Sequence, residues 1–271
     1  MSEVKDVRAD DALVRWWYSG AHRISRYFSV TLHDVAHVPA QGPVLLVGNH
    51  ALLGIDAWAL LPELYHATGR LPRPLGLRSL FDNPVLGRVL RELGGERGER
   101  GCAVELLERG ELVIVYPGGS RDSLKGRSER YTLKWGERVG FAHVALESGA
   151  TVIPVAGIGP DECVPVVSDR GLIPVPGMGG QGARVPLFVP IVRKVPFDFH
   201  FGEPLTPPRL SPEAPAAARE AAAQDFAAQV RAATEATIAR GLAQRVEAPS
   251  TLRRGVRRVS RALGRTSGST R

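Results

Sequence analysis

Cysteine is scarce in this chain: Cys102 and Cys163 are the only two in 271 residues. Two thiols cannot build a disulfide framework or a four-cysteine zinc site, so both are expected as free thiols in a reducing compartment. Long apolar runs are also missing. No stretch approaches the roughly 18 residues that a membrane span requires, and no early apolar segment resembles a secretory leader. A polytopic membrane protein and a secreted scaffold are therefore not expected. No G-x-S-x-G elbow announces a serine hydrolase. What is present, 44% hydrophobic and 23% charged residues, suffices for one substantial core, in one large domain or two small ones.

The net charge of +7 is unevenly placed. Residues 246–271 hold seven arginines against the single acid Glu247, which leaves +1 for the first 245 residues. This reads as a near-neutral body with a cationic tail, a local basic device and no fold-wide groove for a polyanion.

Three regions follow. Residues 1–28 hold an amphipathic helix with Leu13, Trp16, Trp17, Ile24, Tyr27 and Phe28 on one side. Such an aromatic stripe is either packed on the domain or laid on a lipid–water boundary. Residues 29–245 are the main domain. Strands are expected at 29–38, 43–47, 111–116, 151–156 and 197–202, and helices at 55–68, 104–109, 138–148 and 211–243. Strands alternating with helices predict an α/β fold: a mainly parallel central sheet flanked by helices. Residues 157–190, rich in Gly and Pro, show no clear period. Residues 246–271 form the basic tail, disordered until bound or lying on a membrane.

In open α/β sheets ligands collect beyond the carboxyl ends of the strands. Gly48-Asn49-His50 follows the strand at 43–47, with Asp56 six residues after His50. Pro117-Gly118-Gly119-Ser120-Arg121-Asp122 follows the strand at 111–116. A histidine at a strand end is a candidate base, and Asp56 is either a helix N-cap, the acceptor of the other imidazole N–H, or both. With no protein nucleophile beside it, a His–Asp pair most simply activates a hydroxyl or water brought by a substrate. The glycines permit close backbone approach to a ligand, and Arg121 offers a fork for phosphate or for charge developing at a carbonyl.

These motifs resemble the glycerolipid acyltransferase superfamily, which includes the 1-acylglycerol-3-phosphate acyltransferases. The resemblance rests on Asn49-His50 with Asp56, Tyr116-Pro117-Gly118-Gly119-Ser120-Arg121 and Val152-Ile153-Pro154-Val155, in matching order across about residues 40–205. Five residues separate His50 from Asp56 where four are usual, Gly118 stands where the phosphatidate-forming enzymes have Glu, and Asp122 where they have Ser. Both the spacing and Gly118 are closer to the branch of diacylglycerol acyltransferases and phytyl ester synthases. That branch's R-x-G-F signature is matched by Arg138-Val139-Gly140-Phe141, Ala145, Gly149 and Val152-Ile153-Pro154, with His143 replacing a usual Lys or Arg.

The resemblance implies an O-acyltransferase of glycerolipid biosynthesis. Catalytic His50 would be the base for an acceptor hydroxyl attacking an acyl thioester, with Asp56 orienting it. Asn49, Gly118, Gly119, Ser120 and Arg121 would bind substrate. It further implies an acyl-CoA or acyl-carrier-protein co-substrate, no metal or other cofactor, and a lysophospholipid, glycerol phosphate, diacylglycerol or other alcohol as acceptor. The altered block favours a more neutral lipid hydroxyl. Two rival readings are a catalytically silent lipid-binding protein on the same fold and an acyl thioester hydrolase.

Bilayer-resident substrates require a route to the membrane. On a helical wheel Leu252, Val256, Val259 and Leu263 oppose Arg253, Arg254, Arg257, Arg258, Arg261 and Arg265. Such a face suits an anionic membrane surface and a peripheral position on the cytoplasmic side. Nucleic acid is not an expected partner, because the arginines lack aromatic interleaving or a known module. Gly177–Gly182 formally matches G-x-G-x-x-G, but it follows a Pro-rich loop instead of a strand and no helix pattern comes after it, so it is read as a mobile loop or a lid over the acyl groove.

Overall fold

The computed structural model describes residues 4–174, 184–211 and 213–247. Its organising element is β2 (Val44–Gly48), every residue of which is buried. Val44 and Leu46 face one layer and Leu45 and Val47 the other, so the strand is apolar on both faces, as a central parallel strand must be. Parallel neighbours flank it: β5 (Leu112–Val115) on one side and β6 (Thr151–Ile158) on the other. At the carboxyl end of β2, Gly48 pairs with Val155. A Cβ there would lie 2.8 Å from the Val155 carbonyl oxygen, so only glycine lets the two backbones close at this point.

The sheet continues outward from β5 through β3 (Pro72–Gly76) and the short β4 (Glu96–Arg97), both parallel. Outward from β6 the direction reverses. β9 (Asp198–Phe201) is antiparallel to β6, and the edge strand β1 (Thr31–His33) runs parallel to β9. The seven-stranded order is β1-β9-β6-β2-β5-β3-β4. The sheet is thus mainly parallel and flanked by helices, as the sequence predicts. The expected strand at 29–38 is much shorter than its apolar pattern suggests. Asp34 takes a left-handed conformation (φ 60°) and opens a 3-10 turn at Val35–His37.

One face is covered by α5 (Arg100–Glu108), α7 (Gly140–Ser148) and α9 (Ala216–Glu247), whose Phe226 and Val230 seat in the core. The other is covered by α2 (Ile55–Thr68), through Ala59, Leu60 and Leu64. Helix α1 (Ala12–Tyr27) lies on α2 through Val14, Tyr18, Ala21 and Ser25, the Ser25 hydroxyl donating to the Ala59 carbonyl at 3.3 Å. This packed face is displaced from the aromatic stripe read in the sequence: Leu13, Trp16, Ile24 and Tyr27 are exposed, Trp16 by 70%. Helices α3 (Arg78–Asp82) and α4 (Pro84–Glu92) cross the region that the sequence left unassigned, and α4 shows Val85, Leu86 and Val89 to the exterior.

Two one-turn helices, α6 (Ser120–Ser123) and α8 (Pro160–Cys163), follow β5 and β6 at their carboxyl ends. The stretch without a period contains an antiparallel pair, β7 (Val166–Pro174) with β8 (Arg184–Phe188). The G-x-G-x-x-G loop and the basic tail from residue 248 onward lie outside the described residues. Among those described, no helix is long and apolar enough to cross a membrane.

Candidate active site

Strand β2 delivers His50 to the carboxyl edge of the sheet, two residues beyond Gly48, and the first turn of α2 brings Asp56 to meet it. His50 Nδ1 lies 2.9 Å from Asp56 Oδ2, while Asp56 Oδ1 accepts the Ala51 N–H at 3.1 Å. Asp56 is the second residue of α2, not its N-cap; that position belongs to Gly54 in a left-handed conformation (φ 69°). The carboxylate is thereby free to hold both the imidazole and the loop that carries it. With Nδ1 engaged by a carboxylate, the N–H tautomer sits there and Nε2 is left as the free base. Nε2 lies beside Gly54, 3.6 Å from where a Cβ on that residue would stand.

The ring is also fixed in its plane. Tyr116, the last residue before the Pro117-Gly118-Gly119 turn, stacks on His50 with centroids 4.1 Å apart and planes 14° from parallel. Burial, reinforced by the Asp56 charge, pushes the Tyr116 phenol well above its ordinary pKa, so it stays protonated. Burial by itself would lower the His50 pKa. The Asp56 charge and hydrogen bond, aided by Asp122, overcome it and place His50 above the ordinary histidine value, while Lys125 opposes them.

His50, Gly54, Tyr116, Gly119 and Ser120 line a cavity of about 790 Å³. Its remaining wall is largely apolar, with Trp17 and Trp58 from α1 and α2, Phe81 from α3 and Phe141 from α7. Ser120 is 2% exposed and its hydroxyl has no protein partner, so a donor at the cavity wall is uncommitted.

The sequence-predicted residues divide on this geometry. His50 and Asp56 come together, and Gly119 and Ser120 join them at the wall. Asn49 is placed otherwise: its Nδ2 donates to the Gly157 carbonyl at 3.0 Å and its Oδ1 accepts the Gly157 N–H at 2.8 Å. The whole amide is spent on lashing the end of β2 to β6. Gly118 lies behind the wall, and Arg121 is exposed, its guanidinium near Gly136. The guanidinium at the cavity is that of Arg138, which donates from Nη1 to the Pro117 and Gly118 carbonyls, both at 2.8 Å. Burial and then the neighbouring Arg121 charge lower its pKa.

Several site residues were missed as such by sequence reasoning. Tyr116 and Arg138 stood inside quoted motifs without a role. Asp122, Lys125 and Asp161 form a buried charged cluster behind the Gly-Gly turn, Lys125 Nζ lying 3.4 Å from Asp161 and 4.0 Å from Asp122. No local pattern marks these three, because α6 and α8 meet only through the fold.

Residues 29–157 match the family model described as Acyltransferase, and His50, Asp56, Tyr116, Ser120 and Arg138 fall within that span. This span, just under half of the chain, is similar to the acyltransferase family. The chain is similar to a Bos taurus protein named DGAT1/2-independent enzyme synthesizing storage lipids, 31% identical over 124 residues, covering 46% of this chain and 37% of that one. It is also similar to phytyl ester synthase 1, chloroplastic, of Arabidopsis thaliana, 29% identical over 201 residues, covering 63% of this chain and 29% of that one. The similarity thus spans about a third of each relative's length. Among solved structures, the 1-acyl-sn-glycerophosphate acyltransferase PlsC of Thermotoga maritima aligns over 81% of this chain and 80% of that chain, at 16% identity and a TM-score of 0.48.

Proposed function

We propose that this protein is an acyltransferase that moves a fatty acyl group from an acyl thioester, acyl-CoA or acyl-carrier protein, to the hydroxyl of a lipid. The reading is carried by one observation: an imidazole locked by Asp56 at Nδ1 stands, through Nε2, at the wall of a largely apolar cavity. The acceptor O–H gives its proton to Nε2 as its oxygen attacks the thioester carbonyl carbon. The imidazolium so formed is stabilised by Asp56, and the Ser120 hydroxyl donates to the oxygen that becomes negative. Collapse of the tetrahedral intermediate breaks the C–S bond, and the departing sulfur takes the proton back from Nε2. Products are an ester and a free thiol, and the protein returns unchanged.

The acceptor is a neutral lipid alcohol. Arg121, the cation expected to hold a phosphate, lies outside the cavity wall, and Arg138 is tied to two backbone carbonyls. Asn49 acts at a distance from substrate, by holding β2 in register with β6.

The protein works at a membrane surface without spanning it, on the cytoplasmic side that its two free, buried thiols suit. Leu53 and Trp58 by α2 and Leu80 on α3 are exposed at the cavity wall, and Trp16 on α1 and Val85 on α4 are exposed on helices that also supply wall residues, so a lipid could pass from the bilayer inward without crossing water.

The test is purified protein, labelled acyl-CoA, and a panel of lysophosphatidate, glycerol 3-phosphate, diacylglycerol and long-chain alcohols. Ester formation with the uncharged acceptors, abolished by His50→Ala while vesicle binding persists, is the expected result. Turnover that His50→Ala leaves intact would sink the reading, and so would thioester hydrolysis that no added alcohol diverts.

A further inference from the structure

Asp122 is wholly buried in α6, directly behind the Gly118-Gly119 turn. Its carboxylate fills the space in which a side chain on residue 118 would begin. A Cβ built on Gly118 would stand 2.3 Å from Asp122 Cγ and 2.4 Å from Oδ2. Gly118 has no left-handed backbone to explain the glycine, so the reason for it is this carboxylate. One carboxylate oxygen, Oδ1, accepts the Lys134 N–H at 2.7 Å; the other, Oδ2, is buried without a hydrogen-bond partner. A buried, half-satisfied carboxylate is costly, and such groups persist where a charge is wanted.

Asp122 packs on the turn that follows Tyr116, the ring stacked on His50, and shares α6 with Ser120, which stands with His50 at the cavity wall; the charges acting on the imidazole are those of Asp56, Asp122 and Lys125. Lys125 also donates to the Thr132 carbonyl at 3.2 Å and pairs with Asp161 of α8, whose carboxylate accepts the Tyr131 N–H at 2.8 Å. The one buried lysine is therefore shared between two carboxylates and offsets only part of their charge.

We infer that Asp122 is a positioning residue for His50: a second buried carboxylate, delivered from α6 into the space left by Gly118, that holds the imidazolium formed when the acceptor proton arrives. The inference rests on His50 being the base of the proposed transfer. Asp122 touches no substrate. Its negative charge favours the protonated ring, as that of the hydrogen-bonded Asp56 does; burial raises the Asp122 pKa, and Lys125, the Lys134 N–H and His50 itself oppose that rise.

The pH profile of kcat/KM tests it, because its acid limb reports the free enzyme's base. Asp122→Asn keeps the shape and removes the charge, so the acid limb should move down by about 0.5 pH unit and the plateau fall about threefold to tenfold. Gly118→Glu and the double variant Gly118→Glu/Asp122→Ser supply a second measurement that does not depend on the folding of Asp122→Asn. Gly118→Glu alone drives a side chain into Asp122 and should lose about tenfold or more in kcat/KM. The double variant relieves that clash and returns a carboxylate to the same space, so it should recover most of the loss. Two results would overturn the inference: an Asp122→Asn profile superimposable on the parent's, or a double variant no more active than Gly118→Glu. Either, together with transfer abolished in His50→Ala, removes Asp122 and leaves the base in place.

Discussion

Tyr116 lies flat against His50, ring over ring at 4.1 Å, while Asp56 grips the edge of the same imidazole at 2.9 Å. The stack fixes the plane of the ring and the carboxylate fixes its rotation within that plane, so Nε2 has one direction in which to act. Tyr116→Ala should lower kcat about tenfold or more, since a ring loosened by even an ångström loses its alignment with the reacting hydroxyl. Tyr116→Phe retains the stack and is expected within about threefold of the parent. Steady-state kinetics on both variants separates the role of the ring from that of the hydroxyl.

Asp56→Asn carries a larger penalty. The neutral amide cannot stabilise an imidazolium and can present its NH₂ to Nδ1, which would put the proton on the wrong nitrogen. A loss of about 10²–10⁴ in kcat is expected. The acid limb of the profile should also move down, because Asp56 supplies the strongest opposition to the lowering effect of burial on His50. Equal acid limbs in parent and variant, measured at saturating acceptor, would contradict this account.

Gly54→Ala offers a steric probe of the same nitrogen. The residue sits at φ 69°, where an L side chain costs about 1–2 kcal/mol, and the new methyl would lie 3.4 Å from His50 Cε1 and 3.6 Å from Nε2. The chemical midpoint of unfolding should fall by the corresponding amount. Activity measured well below that midpoint should fall further than lost stability explains, because the methyl stands where the acceptor hydroxyl must approach.

Stability should depend on pH through a histidine remote from catalysis. His200, on β9, is 1% exposed and stacks on His33 at 4.2 Å; burial first, then the His33 charge, lower its pKa to about 4. The unfolded chain binds a proton near pH 6.5 that the folded chain refuses until about pH 4. Its contribution is therefore complete above about pH 6.5 and lost as pH falls from there toward about 4, amounting to about 2–3 kcal/mol. His200→Gln removes the titration. Thermal unfolding at pH 7 and at pH 4.5 should show a smaller drop for the variant than for the parent. His50 has the opposite sign, since its raised pKa favours the folded state below about pH 6.5 and that gain fades as pH climbs through the folded value.

Much of this architecture was legible in the chain because it is written locally. Strand β2 is unbroken apolar sequence, α2 carries a helical period over the residues it occupies, and His50 and Asp56 are six residues apart, so their meeting needs one turn. Strand β3 was not legible. Pro72 and Pro74 disguise it, and it is secured by Arg73, whose buried guanidinium reaches the Gly94 carbonyl, Glu111 and the Lys5 carbonyl across three separate segments. The same holds for the site. The contact of Asp122 with Gly118 depends on how tightly one turn closes, and that of Lys125 with Asp161 joins residues carried by different strands' ends. Helix α1 was legible, but its packed face was not, for a subtler reason: small residues at Ala21 and Ser25 let it approach α2, and this shifts the packed face away from the larger aromatic residues that dominate the hydrophobic pattern.

That shift bears on the proposed contact with a lipid surface. Trp16 is 70% exposed and Trp58 44%, Trp58 meeting Trp17 edge-on at 6.1 Å at the rim of the cavity. Replacing Trp16 and Val85 with Ser removes exposed apolar area from α1 and α4 without touching the core, so the melting temperature should hold while binding to vesicles weakens about tenfold. The seven arginines beyond residue 246 are proposed to add charge attraction. Truncation after residue 247 should weaken binding to anionic vesicles most at low salt and leave binding to neutral vesicles nearly unchanged, each basic group being worth on the order of 1 kcal/mol near an anionic surface. The Trp16/Val85 variant should lose affinity for both kinds of vesicle at every ionic strength. Co-sedimentation across a salt series distinguishes the two devices, and a truncated chain that binds anionic vesicles as well as the parent at low salt would remove the tail from the mechanism.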